Sequence, residues 1–216
     1  MRRKRVGVLI SGRGSNLAAL IAAARAPNYA AEIALVISDH PDARGLVLAG
    51  EAGIAAQVIE SKTHPESLRF DRAIDETLKA HAIELVACAG FMRIMSAELV
   101  EGWRDRMINI HPSLLPAYRG LRTHERALAD GVRIHGCTVH FVRHEVDRGP
   151  IIIQAAVPVL SGDTPEMLAA RVLEAEHAIY PLALALVASG RIRVDGERVI
   201  HTVSEAAQPP LIVPRG

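Results

Sequence analysis

Val6-Gly7-Val8-Leu9-Ile10-Ser11-Gly12-Arg13-Gly14-Ser15-Asn16-Leu17 sets the architecture of this chain. The apolar run Val6 to Ile10 is bounded by a glycine turn, the mark of a buried strand. Leu17 to Arg25 then reads as a helix. The same alternation repeats outward. Strands are expected at 33–37, 56–59 and 85–89. Helices are expected at 43–52, where Gly53 serves as C-cap, at 65–81, where Pro65 suits the first turn, and at 97–103. Strands alternating with helices call for parallel pairing with helices on both faces.

The second half changes style. A strand over Met107 to Ile110 stops at Pro112. Gly136 to Arg143 and Pro150 to Val159 read as longer strands, antiparallel neighbours joined by the loop His144 to Gly149. Thr164-Pro165-Glu166 opens a long helix with Thr as N-cap. That helix is expected to kink at Pro181 and to end near Gly190. Asp195-Gly196 predicts a hairpin between 191–194 and 197–201. The fold class is therefore α/β: an open, mostly parallel sheet with helices on both faces and an antiparallel extension. One domain is expected over 1–203, with a first half to 105, a second half over 106–203, and a loose tail over 204–216.

Of the 216 residues, 50% are hydrophobic and 23% charged, which excludes bulk disorder. The 25 basic and 24 acidic side chains nearly cancel, and aromatics are 3%, so a nucleic-acid partner is not expected. Two cysteines support neither a disulfide framework nor a four-cysteine zinc site. The basic Arg2 to Arg5 and the apolar Leu17 to Ala24 are separated by Gly12 to Asn16, which breaks the pattern of an export signal. No segment approaches the ~20 apolar residues of a membrane span. A cytoplasmic protein is expected.

A strand, a glycine turn and a helix N-terminus together form an anion site. Outward N–H groups and the helix dipole favour negative charge, and glycine lets the backbone come close to it. Ser15 and Asn16 add side-chain donors. Leu17 stands where a dinucleotide fingerprint needs its third glycine, and no Gly-Lys-Ser/Thr follows, so a single phosphate of a small metabolite fits best. Asp39, after the second strand, is placed like a ribose-binding acid. The alternative is a tight turn that binds nothing.

Asn109 and His111 are two apart on a strand and share a face, while Ile110 points into the core. An amide donor beside an imidazole suits attack on a carbonyl carbon: one holds the oxyanion, the other moves the proton. Asp147 lies far along the chain between two strands; beside His111 it would raise and orient the imidazole. An ordinary turn aspartate is the bland reading. His135, Cys137, His140 and His144 do not have metal-ligand spacing, and no metal is expected.

Five segments, in this order, resemble the folate-dependent glycinamide ribonucleotide formyltransferases: Ile10 to Leu17, Ala89-Gly90-Phe91-Met92-Arg93-Ile94, Asn109 to Pro116, His135 to Phe141, and Glu176-His177-Ala178-Ile179-Tyr180-Pro181. The resemblance covers roughly residues 5 to 190 and implies a Rossmann-like formyltransferase fold. It implies that Gly14, Ser15 and Asn16 hold a substrate phosphate, and that Asn109, His111 and Asp147 are catalytic. It places Met92, Arg93, Ile94 and Met95, with Asn109 and with Arg143, His144, Glu145, Val146 and Asp147, around the folate. It assigns Leu173, Glu174, Ala175 and Glu176 to the ribonucleotide. The co-substrate implied is 10-formyltetrahydrofolate. The partners are small molecules, with no nucleic acid or membrane, and the chain is a monomer or homodimer. In the implied reaction the amine attacks the formyl carbon directly, Asn109 and protonated His111 hold the oxyanion, and Asp147 supports the imidazole. One departure stands out: Ser67 occupies the place of a basic residue that meets the folate tail in that family, and Arg69 lies two residues off.

Other readings share the core. A methionyl-tRNA formyltransferase carries an added C-terminal RNA-binding domain, and a formyltetrahydrofolate hydrolase an added N-terminal regulatory one; this length is expected to hold neither. A non-catalytic phosphate-binding module is the alternative of another class.

Overall fold

The computed structural model describes residues 2–60, 67–202 and 211–214, with Ser67 by its backbone alone. Five strands run parallel: β1 (Lys4–Ile10), β2 (Ala31–Ser38), β3 (Ala55–Val58), β4 (Leu85–Cys88) and β5 (Met107–His111). Then β6 (Ile134–Phe141) pairs antiparallel with β5, and β7 (Ile151–Pro158) antiparallel with β6. The order across the sheet is β3-β2-β1-β4-β5-β6-β7. The chain moves outward from β1 to β3, then returns to β4 on the other side of β1. That reversal opens a crevice beyond the carboxyl ends of β1 and β4, where ligands bind in open α/β sheets.

The central strands are apolar on both sides because both faces are covered. Val6, Val8 and Ile10 pack with α1 (Ser15–Ala24), α2 (Arg44–Glu51) and α6 (Pro165–Ala188). Leu9, Leu35 and Ile37 pack on the opposite face with α3 (Ser67–Ala80) and α4 (Ala97–Gly102). On α3, Phe70, Ile74 and Leu78 recur at four-residue spacing and are fully buried, the apolar stripe of a surface helix. Trp103 donates its indole N–H to Asp75 at 2.9 Å, linking the end of α4 to α3.

The expected elements are present with ends shifted by one or two residues. Pro65, the expected start of α3, lies outside the described residues, as does most of the tail after 203. Three features go beyond those expectations. A short helix, α5 (Thr123–Ala129), stands where no element was expected. It begins after Arg122 in the left-handed region without a side-chain cap, so the usual start signal is missing. Next, α6 continues through Pro181, as expected, and runs for 24 residues to Ala188. The Pro181 carbonyl accepts the Tyr29 hydroxyl at 2.6 Å, and the flanking Ile179, Tyr180, Ala183 and Leu184 are all buried. Packing on both sides thus carries the helix across a residue that costs ~3 kcal/mol in an exposed helix interior. Last, β3 is fully exposed and forms the sheet edge.

The hairpin β8 (Ile192–Asp195) and β9 (Arg198–His201) turns at Gly196, as expected. The basic start of the chain pins β1: Arg2 and Lys4 pair with Glu84, and Arg5 with Glu32. From α6, the fully buried Tyr180 shares its hydroxyl hydrogen between the carbonyls of Cys88 (2.9 Å), the last residue of β4, and Ile108 (3.4 Å), the second of β5.

Candidate active site

The turn after β1 enters α1 at Gly14, which sits at φ +75°. A Cβ there would lie 2.7 Å from the Gly45 Cα, so both the conformation and the contact with α2 demand glycine. No side chain caps α1, and its first N–H groups face the crevice mouth. Behind them, Asn16 donates its amide to Glu176 of α6 at 2.7 Å. Burial raises the Glu176 pKa and the Asn16 bond opposes it. The other amide atom, Asn16 Oδ1, is buried without a partner among the described residues. The bond brings Asn16 and Glu176 together across 160 residues of chain. Leu173 and Ala175 are half-buried and Glu174 exposed on the same helix. Asp39 is buried beyond β2, its Oδ1 also unpartnered among the described residues.

The second loop follows β4. Gly90, at φ +76°, lets the chain turn out. Met92 and Ile94 are 71% and 73% exposed, unusual for such side chains on a free surface. Arg93 folds back, its guanidinium 4.2 Å above the Phe70 ring, and Phe70 stacks on Phe91. Arg69 is exposed in the first turn of α3.

The third group gathers at the end of β5. Asn109 and His111 share a face, and Ile110 is buried on the other, as strand parity requires. Across the antiparallel ladder Asn109 lies opposite His140, which brings Asn109 Nδ2 to 3.2 Å from His140 Nε2. Phe141 offers a carbonyl to His140 Nδ1 at 2.9 Å; a carbonyl only accepts, so Nδ1 carries the hydrogen. His140 Nε2 also lies 3.7 Å from Asp147 Oδ1, so the ring joins Asn109 to Asp147, and an amide N–H of Asn109 remains for a ligand. His140 is the residue that spacing alone did not bring to this site, because its place depends on strand register.

His111 is similarly fixed. Its Nε2 donates to the Tyr118 carbonyl at 3.0 Å, so Nδ1 is the basic nitrogen and faces Asp147 Oδ2 at 3.3 Å. Burial lowers the His111 pKa, and the Tyr118 carbonyl and Asp147 push back without overcoming it. Asp147 is the converse case. Burial alone would raise it, but His140, the Gly120 N–H at 2.9 Å and the charge of His111 hold it below the ordinary carboxylate value. Tyr118, Arg122 and Asp147 all have φ between 52° and 54°, the left-handed region that side chains rarely adopt. Such strain, of order 1–3 kcal/mol each, gathers at functional sites.

In the loop 143–147, the Arg143 side chain is engaged by Asp105 (2.7 Å) and Glu197 (3.1 Å). Val146 is exposed, His144 is exposed, and Glu145 pairs with Arg148. Beneath the Tyr118 loop, His135 packs edge-on against both Tyr118 and His124. Burial brings its pKa down to about 4. Among the described residues no group of three or more His, Cys, Asp or Glu side chains is placed to hold a metal ion.

A family model described as formyl transferase matches residues 4–184, and the chain belongs to that family. Within it, the chain is 43% identical over 199 residues to the phosphoribosylglycinamide formyltransferase of Escherichia coli, covering 89% of this chain and 94% of that one. It is 50% identical over 204 residues to the trifunctional purine biosynthetic protein adenosine-3 of Homo sapiens, which is 94% of this chain. The chain spans about a fifth of that protein's length. The crystal structure of glycinamide ribonucleotide transformylase 1 from Symbiobacterium toebii superposes with a TM-score of 0.90 at 47% identity, covering 92% of this chain and 94% of that one.

Proposed function

We propose that this protein transfers the formyl group of 10-formyltetrahydrofolate to the primary amine of glycinamide ribonucleotide, a step of purine synthesis. The observation that carries the reading is the meeting of Asn109, His111 and Asp147, from two distant segments, in a crevice flanked by an anion-binding turn and an apolar loop. The phosphate rests on Gly14, Ser15 and Asn16. Glu176 anchors the ribonucleotide beside Leu173, Glu174 and Ala175. The folate lies between Met92–Met95 and Arg143–Asp147, held largely by backbone groups. Residues 1–203 act as one domain, a phosphate-binding half to 105 and a catalytic half beyond it. The partners are small molecules and the setting is the cytoplasm; none of the described helices is long and apolar enough to cross a membrane.

In the reaction the amine nitrogen bonds to the formyl carbon, and the carbonyl electrons move to oxygen. The free N–H of Asn109 donates to that oxyanion. The amine's proton passes to Nδ1 of His111, directly or through water, and Asp147 balances the imidazolium that results. The proton then moves to the folate nitrogen as the carbon–nitrogen bond to it breaks. Burial keeps His111 neutral at rest, which suits a group that must first accept a proton.

The test is steady-state turnover with both substrates beside a control without the ribonucleotide. Formylated ribonucleotide formed only when both are present supports the proposal. Deformylation of the folate alone identifies a hydrolase instead, and no reaction in either mixture leaves a binding module.

A further inference from the structure

Ser11 stands between the two loops that flank the crevice. Its backbone N–H donates to the Gly90 carbonyl at 3.2 Å, and its hydroxyl oxygen accepts the Met92 N–H at 2.9 Å. The next residue opens the phosphate turn, where the Gly12 carbonyl accepts the Gly45 N–H at 3.2 Å. The turn is thus braced by α2 on one side and tied to the Met92 loop on the other. Among the described residues the hydroxyl hydrogen of Ser11 meets no acceptor.

We propose that Ser11 is a positioning residue that couples the two substrate sites, tying the Met92–Met95 loop to the phosphate turn so that an anion in the turn draws the loop into its folate-holding form. This rests on the function proposed above. A hydroxyl that donates to an anion becomes a better acceptor, because hydrogen bonds in a chain polarise one another. Phosphate in the turn therefore strengthens the bond from Met92. The loop is free to respond: its pivot, Gly90, has open space around it, and Met92 and Ile94 project into solvent. Two tethers hold it, Ser11 on one side and the stacking of Arg93 on Phe70 on the other. Coupling of this kind is reciprocal, so the folate also tightens the ribonucleotide.

The experiment is calorimetric titration of glycinamide ribonucleotide into the full chain, with and without saturating tetrahydrofolate, the product that lacks the formyl group. In the wild type, tetrahydrofolate is expected to tighten the ribonucleotide about fivefold or more, the lower end for coupled sites. Ser11→Thr keeps a hydroxyl and the coupling. Ser11→Ala, and Ser11→Cys with its weak donor and acceptor, lose the coupling, and they also weaken the ribonucleotide alone by the one hydrogen bond the hydroxyl gives its phosphate. In turnover, the alanine variant raises KM for the formyl donor and leaves kcat nearly unchanged, a split that general loosening of the fold does not produce. An active wild type without coupling, or coupling that survives in folded Ser11→Ala and Ser11→Cys, overturns the inference alone. A wild type with no turnover overturns the proposed function as well.

Discussion

Asn16 at the start of α1 and Glu176 in the middle of α6 are 160 residues apart and share a buried 2.7 Å hydrogen bond. Each holds the other in place: the amide offsets part of the burial that raises the carboxyl's pKa. Glu176→Ala would leave the Asn16 amide unpaired, at a cost of about 1–3 kcal/mol. We expect a lower melting temperature and a KM for the ribonucleotide raised more than about tenfold, ~1.4 kcal/mol of binding. Glu176→Gln should keep the fold and lose less. Thermal melts beside substrate kinetics separate the two effects; an unchanged KM in the alanine variant removes Glu176 from the ribonucleotide site.

Asn109→Ala removes the donor proposed for the oxyanion and should lower kcat by ~10²–10³, with little change in KM. His111→Ala should lower it by ~10²–10⁴. Asp147→Asn is the informative partner, because asparagine tolerates the left-handed backbone found at φ 52°. The loop then stays in place while the charge is lost. Turnover near wild type in both His111→Ala and Asp147→Asn shows that the catalytic assignment is wrong.

The rate should depend on pH through His111. Its pKa lies below the ordinary value of 6.5, so the neutral base is present across the neutral range and kcat falls only on the acid side. Removing the negative charge of Asp147 lowers that pKa further, so Asp147→Asn shifts the acid limb to lower pH as it lowers the plateau. An acid limb that moves upward contradicts the geometry of Nδ1.

Stability has its own acid limb. His135 moves from 6.5 in the unfolded chain to about 4 in the fold, so protons prefer the unfolded state. Stability is at its full value above pH 6.5 and is lost as pH falls toward about 4. His124, also lowered by burial, adds in the same direction. His135→Gln keeps a donor for the Pro112 carbonyl and removes the titration. Urea midpoints measured from pH 7 to 4 should fall less steeply in this variant than in the wild type.

Much of this was legible in the residues. The run Val6 to Ile10 could only be a strand covered on both faces, and the glycines after it could only be a close turn. The pair Asn109 and His111 followed from strand parity. His140 did not follow, because its meeting with Asn109 depends on which residue of β6 lies opposite, a choice made by the whole sheet. The turning of Arg143 toward Asp105 and Glu197 was hidden for the same reason, since those partners lie 38 residues before it and 54 after it. Helix α5 lacked a capping side chain, and at Pro181 the local penalty was visible while the packing that offsets it was not.

Tyr180 reaches through from α6 to hold the last carbonyls of β4 and the residue before Asn109 in β5. The width of the mouth between the Met92 loop and Asn109 is therefore gauged from behind the sheet, by a spacer sealed from solvent. Substitutions along the inner face of that helix would resize the opening as a shim resizes a jaw. The shape of that opening can drift without any change in the residues that line it.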